Sequence, residues 1–349
     1  MRTARWILLL VVFSVVPSLS ILGQAETLEV PPTPVHISKE NYPLGSKSPL
    51  AFSPDGTRIV FPLQVTDEAN TGKTGIADAA TGTLLYYVKG DLVSLVSPNN
   101  RIVTFDATTG QFLYWNIASS QAGQQLDSFS VTTQFNDGLE WLYVSTDFHT
   151  FVTADGNVNH IIWDLTTGKE ITSSSGRILS TGHDGRPSYS PDASLLANRN
   201  PDGTLSVVDT ATWNKLYQLS VSGGIQIYKF SADGKSIVTG NTDQTVTLWD
   251  STTGRTIAAF TPGVTPDLLA VTDDRTRIAV ASADGEAVLW NTLFQQPVLN
   301  LSVGAVVEID LNKDATRLAT WPNQGDLQIW DLTAAQEALS MTSEPVPGQ

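Results

Sequence analysis

Aspartates recur along this sequence at positions that could gather into one acidic surface. One of them follows the second apolar stretch of each repeating unit: Asp67, Asp106, Asp155, Asp202, Asp243, Asp284 and Asp326. A ring of carboxylates attracts a cation or a basic segment of a partner. Aspartate also fixes tight turns, because its side chain accepts hydrogen bonds from nearby backbone N–H groups. The sequence leaves both roles open, the formation of turns and a functional acidic face.

Trp141 and Trp213 lie outside the regular spacing of the tryptophans that recur once per repeat, Trp115, Trp163, Trp249, Trp290 and Trp330. Trp141 lies close to Phe135 and beside the acids Asp137 and Glu140. Exposed aromatic residues of this kind anchor protein partners, so Trp141 joins the acidic series as a candidate binding residue. The alternative is that Trp141 opens a strand and packs between two sheets.

The sequence offers little for catalysis or for metal binding. Its four histidines, His36, His149, His160 and His183, lie in different repeats and lack the spacing of metal ligands. No cysteine is present, which excludes thiol catalysis and cysteine-bound metals. Nucleophile-elbow, phosphate-loop and calcium-loop motifs are absent as well. We therefore expect a protein that is not an enzyme, with no cofactor and no metal site.

The acid excess limits the partners that the chain can attract. Lysine and arginine number 20 against 35 acids, a net charge of −15. Removal of residues 1–25 would take away two arginines and no acid, leaving 18 − 35 = −17. Charge of this sign repels phosphate backbones and anionic lipids, so we expect no nucleic-acid partner.

The first 25 residues are typical of a secretory signal. Arg2 and Arg5 precede the apolar run WILLLVVFSVV, and small residues lead to Ala25. We expect cleavage after Ala25 and a secreted or periplasmic protein. The alternative is an uncleaved anchor, since residues 6–22 nearly reach the length that spans a membrane. Contact with a membrane is expected only in that second case.

A short pattern repeats along the rest of the chain. The stretch TVTLWDSTTGRTIAAF, residues 245–260, has diverged copies that end a strand at Asp78, Asn116, Asp164, Asp209, Asp250, Asn291 and Asp331. The steps between these residues are 38, 48, 45, 41, 41 and 40, and each leaves room for four short strands. A short unit that cannot bury its own apolar face is typical of a stacked or closed array.

The repeats resemble those of the WD-repeat family. The Trp-Asp ending is intact at 163–164, 249–250 and 330–331, and it is Trp-Asn at 115–116 and 290–291. The resemblance covers residues 45–340 and implies an all-β fold, a seven-bladed β-propeller of four-stranded antiparallel blades. The family's Gly-His pair occurs once, at 182–183, so we expect its His–Ser/Thr–Asp–Trp hydrogen-bond ladder to be largely missing.

The ends of the chain suggest how the ring closes. We expect residues 26–47 to be a linker with a strand, within residues 34–43, that completes the last blade and removes an exposed edge. The competing candidate is the run 334–341, which reads more like a short helix. The propeller is expected over 48–340 and a disordered tail over 341–349.

The leading functional hypothesis is an exported, monomeric, non-catalytic propeller that serves as a platform for a protein or peptide partner. A basic partner segment would suit the acidic series. The alternative is a propeller that binds a small ligand or acts as an enzyme. Residues 201–219 are similar to exported propellers with Val-x-Asp-x-x-Thr repeats, some of which resemble sugar-lactone hydrolases. The sequence lacks the His, Glu and Asn set that their metal site requires.

Overall fold

A computed structural model describes most of the repeat region. The described residues are 33–37, 50–63, 72–96, 100–106, 109, 111–118, 124–130, 139–145, 147, 149–155, 160–165, 167, 169–174, 188–272, 274–323 and 325–334. They form 28 short β-strands arranged as seven four-stranded antiparallel sheets, called blades 1 to 7 here. The predicted all-β propeller of four-stranded antiparallel blades is confirmed.

The first four blades follow one another without crossovers. Their strands, from the innermost outward, are β2 (Ala51–Phe52), β3 (Arg58–Leu63), β4 (Lys73–Asp78) and β5 (Leu84–Lys89) in blade 1; β6 (Asp91–Val96), β7 (Arg101–Asp106), β8 (Gln111–Asn116) and β9 (Gln124–Ser130) in blade 2; β10 (Leu139–Val144), β11 (Thr150–Asp155), β12 (His160–Asp164) and β13 (Lys169–Ser173) in blade 3; β14 (Ser188–Tyr189), β15 (Leu195–Arg199), β16 (Leu205–Asp209) and β17 (Asn214–Leu219) in blade 4.

Blades 5 and 6 are also built from consecutive strands, whereas blade 7 takes its outermost strand from the other end of the chain. They comprise β18 (Ile225–Phe230), β19 (Ser236–Asn241), β20 (Val246–Asp250) and β21 (Thr256–Phe260) in blade 5; β22 (Leu268–Val271), β23 (Arg277–Ala281), β24 (Glu286–Asn291) and β25 (Gln296–Ser302) in blade 6; β26 (Val306–Leu311), β27 (Arg317–Pro322), β28 (Leu327–Asp331) and the outermost strand β1 (Val35–Ile37) in blade 7.

Strand β1 pairs antiparallel with β28, with Val35 opposite Ile329 and Ile37 opposite Leu327. Ile37 is buried in a cluster that also contains residues of blade 1. Innermost strand β26 contacts β22 on one side and β2 on the other. Of the competing segment 334–341, all but its first residue lies outside the described part of the chain.

Blade 5 shows why these residues form strands. Apolar and polar residues alternate over the four runs IQIYKF, KSIVTG, TVTLWD and RTIAAF, which begin at residues 225, 235, 245 and 255. The four strands begin and end within one residue of these runs. Every residue of β19 is buried, because a neighbouring blade covers each face of this sheet. The outer strand β21 exposes most of its residues.

The hydrophobic core lies between the blades. Apolar clusters join blade 5 to blade 6 and blade 6 to blade 7. At the first of these contacts the rings of Phe260 and Trp290 stack in parallel, with centroids 4.5 Å apart. Each fully buried aliphatic or aromatic side chain stabilises the fold by about 1.5–3 kcal/mol relative to exposure.

Antiparallel pairing sorts the loops onto two opposite faces. The turn between the second and third strands of a blade, and the connection to the next blade, lie at one end of the sheet. We call this end the upper face. The turns between strands one and two, and between strands three and four, lie at the other end, which we call the lower face.

Candidate functional site

The lower-face turns between strands one and two are held by a Ser-x-Asp pattern. In blade 5, Ser231 Oγ donates to Asp233 Oδ1 at 2.6 Å and accepts from Ser236 N at 3.0 Å. The same arrangement recurs at Ser53, Ser145, Ser190 and Thr272, and Asn312 replaces the hydroxyl in blade 7. These aspartates are structural.

The turns between strands three and four are fixed by the residue that ends the third strand. Asp250 Oδ1 accepts hydrogen bonds from Thr253 Oγ1 at 2.7 Å and from the N–H groups of Thr253 and Thr252. The hydroxyl and backbone donors of Thr253 lower the pKa of Asp250. The donors of Thr212 lower the pKa of Asp209 in the same way.

The upper face carries the candidate acidic series. Asp202, Asp243 and Asp284 are exposed at the turns between strands two and three of blades 4, 5 and 6. Asp202 Oδ1 accepts from Thr204 N at 2.9 Å, and Asp243 Oδ1 accepts from Thr245 N at 3.1 Å. Ser282 Oγ donates to Asp284 Oδ1 in a short hydrogen bond.

The described geometry supports the turn-forming role of these three residues. The hydroxyl and backbone N–H of Thr204 lower the pKa of Asp202. All of the hydrogen bonds given above engage the Oδ1 atom of each carboxylate. The turns therefore orient the carboxylates while their side chains remain exposed.

Asp106 differs from the rest of the series. Its side chain is buried, with only 4% of the residue exposed, and it pairs with Lys89 Nζ at 2.6 Å. Thr109 Oγ1 donates to the same carboxylate at 2.7 Å. Asp106 is thus a neutralised structural group rather than part of an exposed acidic surface.

The remaining candidates are described less fully. Asp326 lies half-buried just before β28. Asp67 lies outside the described residues, and Asp155 and Trp141 are described only through the backbone of β11 and β10. Trp141 is opposite Ala154 in the sheet, next to an irregularity in the register.

Two further acids lie on the upper face, where one blade passes into the next. Asp267 accepts from Gln226 Nε2 of blade 5 at 2.7 Å and from Ala283 N at 2.8 Å, so it ties blade 5 to blade 6. Partial burial raises the pKa of Asp91 at the start of blade 2. Asp137, the acid noted near Trp141 in the sequence, lies outside the described residues.

Cations are distributed unequally between the two faces. Among the described residues, three lysines and arginines lie at the upper ends of their strands: Lys73, Lys89 and Arg199. Eleven lie at the lower ends or in lower turns: Arg58, Arg101, Lys169, Lys215, Lys229, Lys235, Arg255, Arg275, Arg277, Lys313 and Arg317. Lys89 is already paired, so within the described part of the chain few positive charges offset the exposed upper-face carboxylates.

A cluster of polar side chains between blades 3 and 4 is not indicated by any motif in the sequence. The Tyr189 hydroxyl lies 2.7 Å from His160 Nδ1, and both residues are buried. Tyr143 stacks on Tyr189, and its hydroxyl donates to the Ser190 carbonyl at 3.0 Å. His36 and His149 are exposed, while His183 is outside the described chain. His149 and His160 both belong to blade 3, so the expectation that the four histidines lie in different repeats is wrong. The described residues contain no cluster of three or more His, Cys, Asp or Glu that could hold a metal.

The repeats also match known families. Residues 65–260 match the family model described as outer membrane protein assembly factor BamB. The chain belongs to this family. The matched segment runs from blade 1 to the end of blade 5 and includes Asp67, Asp106, Asp155, Asp202 and Asp243. Membership of the BamB family agrees with the four-stranded blades described above.

The BamB-family chain is also similar to WD-repeat proteins. The guanine nucleotide-binding protein subunit beta of Oryza sativa subsp. japonica is 25% identical over 211 residues, which is 54% of each chain. The corresponding subunit of Nicotiana plumbaginifolia is 27% identical over 206 residues, again 54% of each. The chain thus spans about half the length of these curated relatives. The recognition of a diverged WD-like β-propeller is confirmed.

The matched family segment, residues 65–260, does not include the predicted N-terminal signal. Residues 1–25 lie outside the described part of this BamB-family chain. Within the described part, none of the helical structure has the length and hydropathy needed to cross a membrane.

Proposed function

We propose that this chain is an exported, non-catalytic propeller that holds a protein partner on its upper face. The observation that carries the proposal is the row of exposed carboxylates of Asp202, Asp243 and Asp284 at one end of the blades, with few described cations to offset them. Asp67, Asp155, Asp326 and Trp141 extend the same surface by their places in the repeats. A basic segment of the partner is the chemistry that fits such a surface.

The turn geometry makes these carboxylates suitable for binding. Each side chain is held through its Oδ1 atom, so little side-chain entropy is lost when a partner lysine or arginine approaches. Rim charges of this kind mainly accelerate association and add salt dependence. We expect moderate, salt-sensitive binding from the acidic residues, with aromatic contacts such as Trp141 adding affinity.

The relatives support a role in protein assemblies. One family is named for an assembly factor, and the other relatives are named as subunits. The metal site that a lactonase-like enzyme would require has no counterpart among the described residues, where no cluster of three or more His, Cys, Asp or Glu could hold a metal. The BamB-family match and the signal-like residues 1–25 together favour an extracytoplasmic location, with the segment cleaved after Ala25.

We further propose that the scaffold is a monomeric ring of seven blades closed through its N-terminal strand. Seven four-stranded sheets and the pairing of Val35–Ile37 with β28 support this arrangement. Closure through both chain ends removes a free sheet edge and keeps the loops of the upper face in fixed positions.

The acidic face is tested by neutralisation. The triple variant Asp202→Asn, Asp243→Asn and Asp284→Asn keeps a side-chain oxygen for each turn and removes three charges. Its matched control is Asp147→Asn, Asp192→Asn and Asp233→Asn, which removes three charges from equivalent Ser-x-Asp turns on the lower face. The ligand is a lysine-rich peptide of ten residues, and binding is measured by calorimetry at low and high salt.

We expect the upper-face variant to bind the peptide at least about tenfold more weakly than the control at low salt, and the difference to shrink at high salt. Equal weakening in both variants would mean that net charge alone attracts the peptide and would refute the upper-face proposal. Circular dichroism of both variants verifies that the fold is kept.

A further inference from the structure

An ion pair joins the innermost strands of two blades that are not neighbours. Lys229 Nζ, in β18 of blade 5, lies 3.8 Å from Asp310 Oδ1, in β26 of blade 7. The innermost strands contact one another in the order β18, β22, β26 and β2, so this pair passes over blade 6. The side chain of Lys229 is 48% exposed and that of Asp310 is 19% exposed. Water and salt therefore reach the lysine more easily than the carboxylate.

The two residues occupy the same position in their strands. Each lies two residues before the side chain that begins a lower-face turn, Ser231 in blade 5 and Asn312 in blade 7. The same position in blade 6, two residues before Thr272, is Ala270, which is fully buried. Blade 6 thus presents only a methyl group at this level, which leaves room for the lysine side chain to reach blade 7.

Asp310 also binds blade 1, through its second oxygen. Phe52 N in β2 donates a hydrogen bond to Asp310 Oδ2 at 3.0 Å. Ser53 N bonds to the Arg58 carbonyl of β3, and N–H directions alternate along an antiparallel strand, so the Phe52 N–H points away from β3. Strand β2 is the innermost of its blade, so the acceptor for this N–H comes from the neighbouring blade. Hydrogen bonds to a charged acceptor are about twice as strong as those between neutral groups.

Blades 7 and 1 meet where the two ends of the chain come together. Residues 306–331 of blade 7 come from the end of the chain, whereas blade 1 and strand β1 come from its start, so noncovalent contacts alone join these two parts at what we call the seam. At its outer edge β1 pairs with β28, and an apolar cluster lies between the blades. On the lower face Arg317 Nε donates to the Ala79 carbonyl at 3.2 Å. The bond from Phe52 to Asp310 closes the inner edge.

We propose that Lys229 and Asp310 form an ionic latch, which holds the inner edge of the seam closed and makes its opening sensitive to salt. This inference rests on the closed ring proposed above. The lysine is a positioning residue, because it acts on blade 1 by holding the Asp310 carboxylate toward the Phe52 N–H. One carboxylate thereby couples blade 5 to blades 7 and 1. An open seam would leave β28 as a free sheet edge that can pair with another chain, which the latch prevents.

Salt should act on one half of the latch. A partly exposed ion pair changes an equilibrium by about twofold to fivefold. At about 1 M salt the screening length is about 3 Å, which is shorter than the 3.8 Å between Lys229 Nζ and Asp310 Oδ1. The hydrogen bond from Phe52 N to the more buried carboxylate is screened much less. High salt should therefore release the lysine while the hydrogen bond still forms part of the time.

Exchange of the Phe52 amide hydrogen with solvent measures the latch directly, because this N–H is the donor at the inner edge of the seam. NMR follows it in the full-length chain, together with the amides of β20 in blade 5 and of β1 in blade 7. Lys229→Met removes the charge and keeps the apolar stem. The matched control is Lys235→Met, which removes the same charge from blade 5, where Lys235 pairs with Asp233 inside one turn.

We expect Lys229→Met to accelerate exchange of the Phe52 amide about threefold, and Lys235→Met to leave it unchanged. The β20 amides should keep their rates in both variants. Asp310→Asn should accelerate the Phe52 amide at least as much, and Lys229→Met added to Asp310→Asn should have no further effect, because the lysine acts through the carboxylate. At about 1 M sodium chloride the unmodified chain should match Lys229→Met at low salt, a comparison that holds even if a variant fails to fold.

An unchanged Phe52 rate in Lys229→Met would overturn the latch. So would equal acceleration of the β20 amides, since the substitution would then weaken the whole fold. The β1 amides separate this failure from a failure of the ring. If they are protected in the unmodified chain while the Phe52 rate responds to neither the lysine nor salt, the closed ring is kept and the latch is refuted. If they exchange freely, the closed ring is refuted together with the latch.

Discussion

Trp249 Nε1 donates a hydrogen bond to Thr239 Oγ1 at 3.0 Å across neighbouring strands in the core of blade 5. The same bond joins a tryptophan to a threonine in three other blades: Trp115–Thr104, Trp163–Thr153 and Trp330–Thr320. In blade 6 the strand register puts Val280 in place of the threonine, and Trp290 Nε1 is buried without a hydrogen-bond partner. Blade 6 thus lacks the tryptophan–threonine hydrogen bond that blades 2, 3, 5 and 7 contain.

Replacing Val280 by threonine should stabilise the protein. The two side chains have nearly the same shape, and the new hydroxyl would lie where the other blades bond their tryptophan. A buried unsatisfied donor costs about 1–3 kcal/mol, so we expect Val280→Thr to raise the free energy of unfolding by about 1 kcal/mol after the hydroxyl is desolvated. Urea unfolding followed by tryptophan fluorescence measures the change.

The reverse change in blade 5 is the control. Thr239→Val leaves Trp249 Nε1 without its acceptor and should lower the free energy of unfolding by about 1–3 kcal/mol. If Val280→Thr destabilised the protein as much as Thr239→Val, the geometry of blade 6 would differ from that of its neighbours.

Strand β1, which we propose closes the ring, contributes to stability through Ile37. Its side chain is 1% exposed and packs in the cluster that contains Ile59, Ala77 and Ile329. Truncation to alanine should cost about 2–5 kcal/mol by the usual measure for buried aliphatic residues. His36, exposed in the same strand, is the control, and His36→Ala should change the Tm little. Equal Tm values for the two variants would show that this strand adds nothing to the stability of the fold.

The sequence predicts the strands well because each repeat carries several agreeing local signals. In blade 5 the alternation of apolar residues, the Ser-Ala-Asp-Gly turn and the Trp-Asp ending all point to the same boundaries. The turn role of the aspartates was predictable for the same reason, since Asp202 and Asp243 bond residues only two positions away. Local chemistry of this kind is readable without knowing which blades are neighbours.

Contacts between distant residues were not predictable in this way. Asp106 matches its relatives in the series, yet Lys89 from the preceding blade pairs with it and it is buried. Tyr189 reaches His160, which is 29 residues away in another blade. Such pairs depend on how neighbouring blades face one another, and the repeat pattern does not predict that arrangement.

Acid should destabilise the fold through the turn aspartates. Thr253 is the main cause of the lowered pKa of Asp250, and Thr212 plays this part for Asp209. A carboxyl whose pKa is lower in the folded than in the unfolded chain stabilises the fold fully above its unfolded pKa of 3.8 and loses that contribution as pH falls through its folded pKa. We expect the urea midpoint to be level from pH 7 to about pH 5 and to fall below the unfolded value.

Removal of the Thr253 hydroxyl tests whether it lowers the pKa of Asp250. Thr253→Val removes the largest favourable contact of Asp250, so the pKa of that carboxyl should move up toward 3.8, as followed by NMR titration of its side-chain carbon. Thr253→Ser retains a hydroxyl and should leave the pKa low. An unchanged pKa in the valine variant would assign the shift to the backbone N–H groups alone.

Alkali should act through the buried tyrosines between blades 3 and 4. Burial raises the pKa of Tyr143 and Tyr189 above the ordinary value of 10.0, with nearby aspartates adding to the shift of Tyr143. Because the folded pKa exceeds the unfolded one, their contribution is complete below about pH 10 and is lost as pH rises toward the folded value. Phenolate absorbance should therefore show these two tyrosines ionising only as the protein unfolds.

Tyr189→Phe should remove one of the two groups that ionise only on unfolding. Because it also deletes the hydroxyl next to His160 Nδ1, it should lower the free energy of unfolding at pH 7 by about 1 kcal/mol. Ionisation of both tyrosines near pH 10 with the fold intact would contradict their burial between the blades.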